Sequence, residues 1–501
     1  MFSSIRSATL LGIQGTPISV EVHIGSGLPG FTVVGLPDEA CREARDRVRA
    51  ALLSSGAQWP NKKITVNLAP SSQRKGGVGL DLALAMGILS ASGQILSDNL
   101  AEYSFVAELG LDGSLRPVPG AAPLVAGLRE YRVVVAPPNA REAKVASPRS
   151  IHCAATLRDV VLALRGEGEW ADTSSQESVK GTTRFADMSD VRGQPTARLA
   201  AEIAAAGGHH ILFVGSPGAG KTMIAERLPG LLPPLTNDEA VTATMIHSAA
   251  GASLPPGGLI TFPPFRAPHH SASMIAMVGG GSGVLRPGEA SLAHGGVLFL
   301  DEVGEFMPSV LDALRQPLEE GKVRIARASA GVTLPARFLL VGATNPCPCG
   351  GGAPGACVCN ETARARYLRR LSGPFLDRFD LRVAVAMTGV EELLDVCEGE
   401  PSAAVQQRVA RVRELSLHRS GGVNARLSAQ ELDTYAPLTN AARDVLRSEL
   451  ERGRLTGRGY HRIRRVARTL ADLSGNDGEI QQDTVRVALL MRTRLHEREV
   501  A

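Results

Sequence analysis

The run Ile211-Leu212-Phe213-Val214-Gly215-Ser216-Pro217-Gly218-Ala219-Gly220-Lys221-Thr222 decides how this chain is read. Four apolar residues suit a buried parallel strand, the next eight form a complete G-x-x-x-x-G-K-[ST] loop, and residues 223–228 suit a helix. Glycines let backbone N–H groups curl around a phosphate, and the helix N-terminus adds positive potential. Gly215, Ser216, Pro217, Gly218, Ala219 and Gly220 are thus candidate phosphate contacts. Lys221 is placed to reach the β- and γ-phosphates of ATP, and the Thr222 hydroxyl to ligate Mg²⁺. Only seven of the 54 basic residues are lysines, so a lysine at this position carries more information than an arginine would.

Outward from the loop, Gly296-Val297-Leu298-Phe299-Leu300-Asp301-Glu302 is an apolar strand ending in two carboxylates. Asp301 is the candidate second Mg²⁺ ligand and Glu302 the group that polarises the attacking water. A third strand, residues 338–344, ends in Asn345, whose amide could orient that water. Arg378 lies in Gly373-Pro374-Phe375-Leu376-Asp377-Arg378-Phe379-Asp380, where an arginine could reach a neighbouring subunit's γ-phosphate. Arg465, in the arginine-rich run 458–468, could reach the same phosphate from within the subunit. Both also fit solvated arginines in an arginine-rich chain.

The rest of the chain separates by texture. Residues 1–165 alternate β-rich runs (18–24, 31–34, 63–67, 131–136) with helical ones (38–54, 80–92, 121–130), an α+β pattern. Residues 166–186 are polar and small, as in a linker. Residues 187–390 repeat strand, Gly-rich turn and helix, the pattern of a parallel-sheet nucleotide domain. Residues 391–501 are expected to be helical, with apolar spacing at Val405, Val409, Val412; Ala441, Val445, Leu446; and Ile463, Val466, Leu470. The whole reads as multidomain α/β.

Cys347, Cys349, Cys357 and Cys359 form C-x-C-x7-C-x-C on a glycine-rich loop. Four thiolates so placed can close a tetrahedral Zn²⁺ site; free thiols or a redox pair are the alternative. Cys41, Cys153 and Cys397 are isolated and read as core or surface thiols. Residues 321–332 have strand–turn–strand character and carry Lys322, Arg324 and Arg327. These could grip the phosphates of a nucleic acid or simply be solvated; that the nucleic acid is DNA, single-stranded or branched, is what the family resemblance given below implies. With aromatics at 4%, base stacking would not dominate, so DNA binding is expected to be salt-sensitive and weakly sequence-specific. His269 and His270 read as a structural or pore-loop pair rather than metal ligands.

Composition excludes some classes. Hydrophobic residues are 44%, charged residues 21% and the net charge only +4, so a histone-like polybasic protein is ruled out. No basic segment followed by a long apolar run opens the chain, and residues 82–97 fall short of a membrane span, so a cytoplasmic location is expected with no membrane partner.

Together these residues resemble an AAA+ ATPase, and more narrowly the magnesium-chelatase-like ComM/YifB family. Phe265-Arg266-Ala267-Pro268-His269-His270, Asn345-Pro346-Cys347-Pro348-Cys349-Gly350 and Tyr460-His461-Arg462 with Arg465-Val466-Ala467-Arg468 carry the resemblance. It implies an arginine finger at Arg378, sensor 1 at Asn345, sensor 2 at Arg465 and a helical lid at 391–501. It further implies a hexameric ring motor that drives branch migration of DNA in homologous recombination and natural transformation, with recombination proteins as partners. In related ring helicases a hairpin like 321–332 projects into the pore. A chelatase-type ATPase remodelling a protein partner is the alternative, weakened because no integrin-type metal-binding domain is present. Residues 1–165 resemble a Lon-protease-type (S5-type) domain through Lys75-Gly76-Gly77-Val78-Gly79-Leu80-Asp81 and residues 110–118. Where that family has its serine this chain has Val78 or Gly79, and residues 119–123 offer no lysine, so an inactive domain is expected.

Overall fold

The structure is a computed structural model of the chain, and it describes residues 1–70, 78–147, 151–172, 185–281, 285–326, 331–351, 357–370, 373–389 and 399–492. Arg327, Lys75 and Cys397 lie outside the described residues, as does most of the linker stretch.

Alternating burial along Phe2–Leu11 and Gln14–Gly25 is the period-2 signature of strands with one covered face, and the two pair antiparallel. They sit inside a seven-stranded sheet ordered Gly30–Val34, Lys63–Ala69, Gln14–Gly25, Phe2–Leu11, Tyr103–Val106, Arg132–Val135, Ile151–Cys153. Pairing is antiparallel on both sides of Gln14–Gly25 and parallel elsewhere. The helix Asp81–Ala91 packs against it almost wholly buried. Its one carboxylate, Asp81, is bidentate to Arg47 at 2.7 and 3.0 Å, the pairing a buried charge requires. The helix expected over 121–130 ends earlier, spanning Ala121–Ala126: Gly127 lies so close to the Gly15 backbone that any side chain there would collide with it.

The second sheet is all parallel, ordered Phe265–Arg266, Val297–Leu300, Leu339–Thr344, Ile211–Val214, Leu381–Ala384. Continuous burial along its inner strands marks a sheet covered on both faces. Ile211, Phe213, Val297, Phe299 and Val341 meet helices Pro195–Gly207 and Lys221–Leu231 and the C-terminal helices. Leu212, Leu298, Leu300 and Leu340 face Phe306, Leu311, Phe375 and Phe379.

Beyond residue 399 the described elements are all helical. Val405, Val409 and Val412 line the buried side of Ser402–Ser420 as their spacing predicts. In Asn440–Glu451 the buried pair is Ala442 and Leu446, with Ala441 exposed, so the expected register was one residue off at its first position. Thr439 caps that helix by accepting the Ala442 N–H, which fixes its rotation. Under these helices Asp472, fully buried, accepts from Arg419 (2.6 and 3.0 Å), Arg468 and Asn424 (2.7 Å).

The two sheet-bearing parts touch, among other places, at Ser248 of the helix Asn237–Ala250 and at the Gly12 turn. Gly120 N–H donates to Ser248 O at 2.8 Å, and Ala122 N–H to Ser248 Oγ at 3.2 Å. The turn at Gly12 lies against Val332, and Leu11 and Ile13 pack on a cluster holding Val323, Val332 and Leu334. Those three belong to a two-stranded hairpin, Lys322–Ala326 with Gly331–Pro335. No described helix is long and apolar enough to cross a membrane.

Candidate nucleotide site

A cleft of about 360 Å³ opens at the carboxyl ends of the parallel strands, lined by residues 217–223, Asp301, Glu302 and residues 343–345. This is where open α/β sheets bind ligands. Strand order explains which side chains meet there. The strand ending at Asn345 lies between the loop strand and the acid strand, with Val214 opposite Thr344 and Leu300 opposite Gly342. The amide therefore stands between lysine and acids.

Backbone constraints build the loop. Gly218 and Gly220 hold φ of +79° and +89°, where a β-carbon is strained, and a side chain at Gly215 would collide with Val385 O. Lys221, almost enclosed, donates from Nζ to Gly215 O (2.6 Å), Ser216 O (2.9 Å) and Asn345 Oδ1 (3.1 Å). Burial lowers its pKa below the ordinary lysine value, while Asp301 and Glu302 oppose that shift. Thr222 Oγ1 donates to Asp301 Oδ2 at 3.0 Å. A hydroxyl and a carboxylate converging on one point are the hard oxygen donors that Mg²⁺ takes, so the pair fits that ion.

Glu302 has left-handed backbone, φ 50° and ψ 51°, one of three such described non-glycine residues. Strain of that kind persists where the surroundings over-determine it, commonly at working sites. Its N–H donates to Asp301 Oδ1 at 2.9 Å. Its carboxylate lies 3.5 Å from His270 Nδ1, and the His270 ring lies tilted against that of His269 with centroids 4.0 Å apart. Sequence reasoning gave His270 no part in this site. The available signal was position: Phe265–Arg266 is the acid strand's parallel neighbour, so the residues after it emerge at the same edge. Gln194 was missed as well. Its Nε2 donates to Ala219 O at 3.4 Å and to Ala386 O, joining the loop to the segment after the last strand.

Arg378 and Arg465 do not line this cleft. Arg378 is ion-paired with Glu319. Arg465 donates from Nε to Leu427 O at 2.8 Å, and burial lowers its pKa. Nearby, buried Asp380 bonds His209 Nδ1 at 3.1 Å with Arg462 at 3.7 Å. Lys322 and Arg324 are exposed on one hairpin strand.

The four cysteines gather as one group, all sulfurs within 4.8 Å of one another. Cys347–Cys349, Cys347–Cys357 and Cys349–Cys357 are 3.4, 3.5 and 3.7 Å apart. Four ligands at tetrahedral Zn–S distances stand about 3.8 Å apart, so the cluster fits zinc, while the sulfurs are too far apart for a disulfide. The Gly351 N–H first, then Cys347 and Cys359, pull the Cys349 thiol down to about 6. Gly350, at φ +72°, packs on Pro217: a β-carbon there would sit 2.7 Å from that ring. The cysteine loop thus leans on the phosphate loop.

The family described as magnesium chelatase, subunit ChlI, matches residues 187–393; its companion families match residues 20–139 and, for the ChlI C-terminal part, 399–492. The chain is 44% identical over 484 residues to competence protein ComM of Haemophilus influenzae, covering 94% of each. It is 43% identical over 472 residues to protein YifB of Salmonella typhimurium, covering 94% of this chain and 93% of that one. A more distant similarity, 26% over 203 residues, covers 40% of this chain and 25% of the probable DNA helicase MCM9 of Arabidopsis thaliana.

Proposed function

This chain belongs to the magnesium-chelatase-like ComM/YifB family, and on that premise we propose that it is an ATP-hydrolysing motor acting on DNA. The observation that carries the ATPase reading is the convergence of Lys221, Thr222, Asp301, Glu302 and Asn345 on one cleft at the strand ends. Loop N–H groups and Lys221 bind the phosphates. Thr222 and Asp301 would hold Mg²⁺, which neutralises phosphate charge when bound. Glu302 takes the proton of the attacking water, Asn345 orients that water, and the terminal phosphate leaves ADP as inorganic phosphate.

Arg378, outside its own cleft, serves a neighbour's γ-phosphate in trans, and Arg465 reports nucleotide state to the helices of 391–501 acting as a lid. The Arg378 role requires a neighbouring subunit, in a ring that is hexameric by resemblance, whereas Arg465 acts within its own subunit. Residues 1–165 act as an inactive Lon-like platform, 166–186 as linker and 187–390 as the AAA+ core. The cysteine cluster holds a structural zinc. Lys322 and Arg324 of the hairpin, with Arg327, grip DNA phosphates. The competence name of one relative and the helicase name of another support DNA as substrate; branch migration in recombination as the task, and recombination proteins as partners, rest on the family resemblance.

ATPase rate and subunit mass measured with and without forked DNA test this reading. Turnover should rise with DNA and assembly, and the combined Lys322→Ala and Arg324→Ala change should remove the rise. A rate indifferent to DNA but raised by a protein partner would instead favour a chelatase-type remodeller.

A further inference from the structure

Arg378 is held by its own chain. Its Nη2 is paired with Glu319 Oε1, while its Nε is buried with no hydrogen-bond partner among the described residues. The Arg378 side chain is 22% exposed and that of Glu319 52%, so water screens the pair from the glutamate's side. Glu319 belongs to the short helix Arg315–Glu320, which stops at Gly321 (φ +66°) and runs directly into the hairpin strand Lys322–Ala326. The adjacent carboxylate, Glu320, pairs with Arg324 Nη2 on that strand at 2.8 Å. Ala336 N–H donates to Gly321 O at 2.9 Å and closes the hairpin's base. Two consecutive acids therefore hold two arginines, one outside the hairpin and one on it.

We propose that Glu319 is a positioning residue that parks Arg378 and ties its release to the base of the Lys322–Pro335 hairpin. The inference rests on Arg378 acting in trans on a neighbouring phosphate. A half-exposed ion pair is weak, and a guanidinium with an unused donor gains more from a multiply charged phosphate, so the exchange runs toward the phosphate. Coupling works both ways. Displacement of the hairpin base shifts Glu319 and frees Arg378; capture of Arg378 by a phosphate releases Glu319 and the strand that follows it. Loading of the hairpin thereby raises the rate at the neighbouring site.

The test compares wild type, Glu319→Gln, Glu319→Asp, Arg378→Ala and the Glu319→Gln/Arg378→Ala double variant, at equal subunit mass. Without DNA, Glu319→Gln should raise kcat about two- to five-fold, the range that loss of such a pair permits. KM for ATP should stay put, because Glu319 does not line the cleft. The gain from forked DNA should shrink by the same factor. Glu319→Asp, which keeps the charge, should fall back toward wild type. In the double variant the increase should vanish, which a merely structural effect of residue 319 would not produce. If Arg378→Ala is slow and Glu319→Gln matches wild type, or if the increase survives in the double variant, the latch is wrong while the finger reading stands. If Arg378→Ala turns over ATP at the native rate, the finger reading fails and the latch falls with it.

Discussion

Acidification from pH 7.5 to 5.5 should loosen the segment that leads into Asn345. His294, buried just before the acid strand, accepts the Arg337 N–H on Nδ1 at 3.0 Å. His210, just before the loop strand, accepts the Leu340 N–H on Nδ1 at 3.0 Å. A ring protonated at Nδ1 has no lone pair to offer there. Burial, then the Arg337 charge, holds His294 at about 4. Burial holds His210 at about 4 as well, against an upward pull from Asp380 and with a further downward push from Arg462. Both folded values lie below the ordinary 6.5, so the opened state binds more protons. Stability is complete above that value and drains away as pH falls toward 4. At pH 5.5 the loss is about 1.3 kcal/mol for each ring, roughly ninefold in the opening equilibrium, and about 2.6 kcal/mol for both. Asp380, held at about 2, contributes only at lower pH: burial raises it, but the His209 hydrogen bond and the His209 and Arg462 charges outweigh that. Amide hydrogen exchange over 337–344, corrected for intrinsic rates, reads the effect directly. His294→Asn offers an acceptor that cannot be charged and should cancel about half of the acid sensitivity on a logarithmic scale, one ring of the two. Equal corrected protection at both pH values would refute the reasoning, as would a His294→Asn protein as acid-sensitive as wild type.

Glu302→Gln should slow ATP turnover by at least about a hundredfold, the scale of a lost general base, with nucleotide titration showing binding nearly intact. Gly350→Ala puts a β-carbon in the left-handed region 2.7 Å from Pro217 and should destabilise the protein by about 1–3 kcal/mol; nucleotide binding should weaken with it, both read by melting with and without ATP. Metal analysis should find one zinc per chain, and chelation should release it together with four reactive thiols; well under one zinc sinks the site. Asp472→Ala leaves Arg419 and Arg468 without their carboxylate and should cost about 3–5 kcal/mol, measured by urea unfolding of the C-terminal helices.

What could be read in the sequence was whatever a few neighbouring residues impose. Gly218, Gly220 and Lys221 announce the loop because each answers a backbone or charge requirement within eight positions. Asn345 was legible as a polar end to a third strand. Its bond to Lys221 was not, because it depends on that strand being inserted between the other two, and spacing along the chain does not encode lateral order. His270 escaped for the same reason: 32 positions before Glu302, it reaches the acid only through the pairing of Phe265–Arg266 with the acid strand. Periodicity alone also put Ala441 on the buried side of its helix, where Ala442 is the residue enclosed. The Arg378–Glu319 pair joins the turn after the short helix Gly373–Leu376 to the helix Arg315–Glu320, an approach that no motif announces.

The turn at Gly12 touches Val332, with Leu11 and Ile13 seated on the apolar side of the same hairpin. A lever fastened to a second body cannot swing alone. Any stroke of that hairpin either drags the seven-stranded sheet along or shears a greasy joint open to water, and the Gly120–Ser248 bond anchors the same sheet to the helix Asn237–Ala250. The amino-terminal third of the chain is therefore coupled to the hairpin by packing, and on the motor reading it would limit how far and how stiffly the hairpin moves.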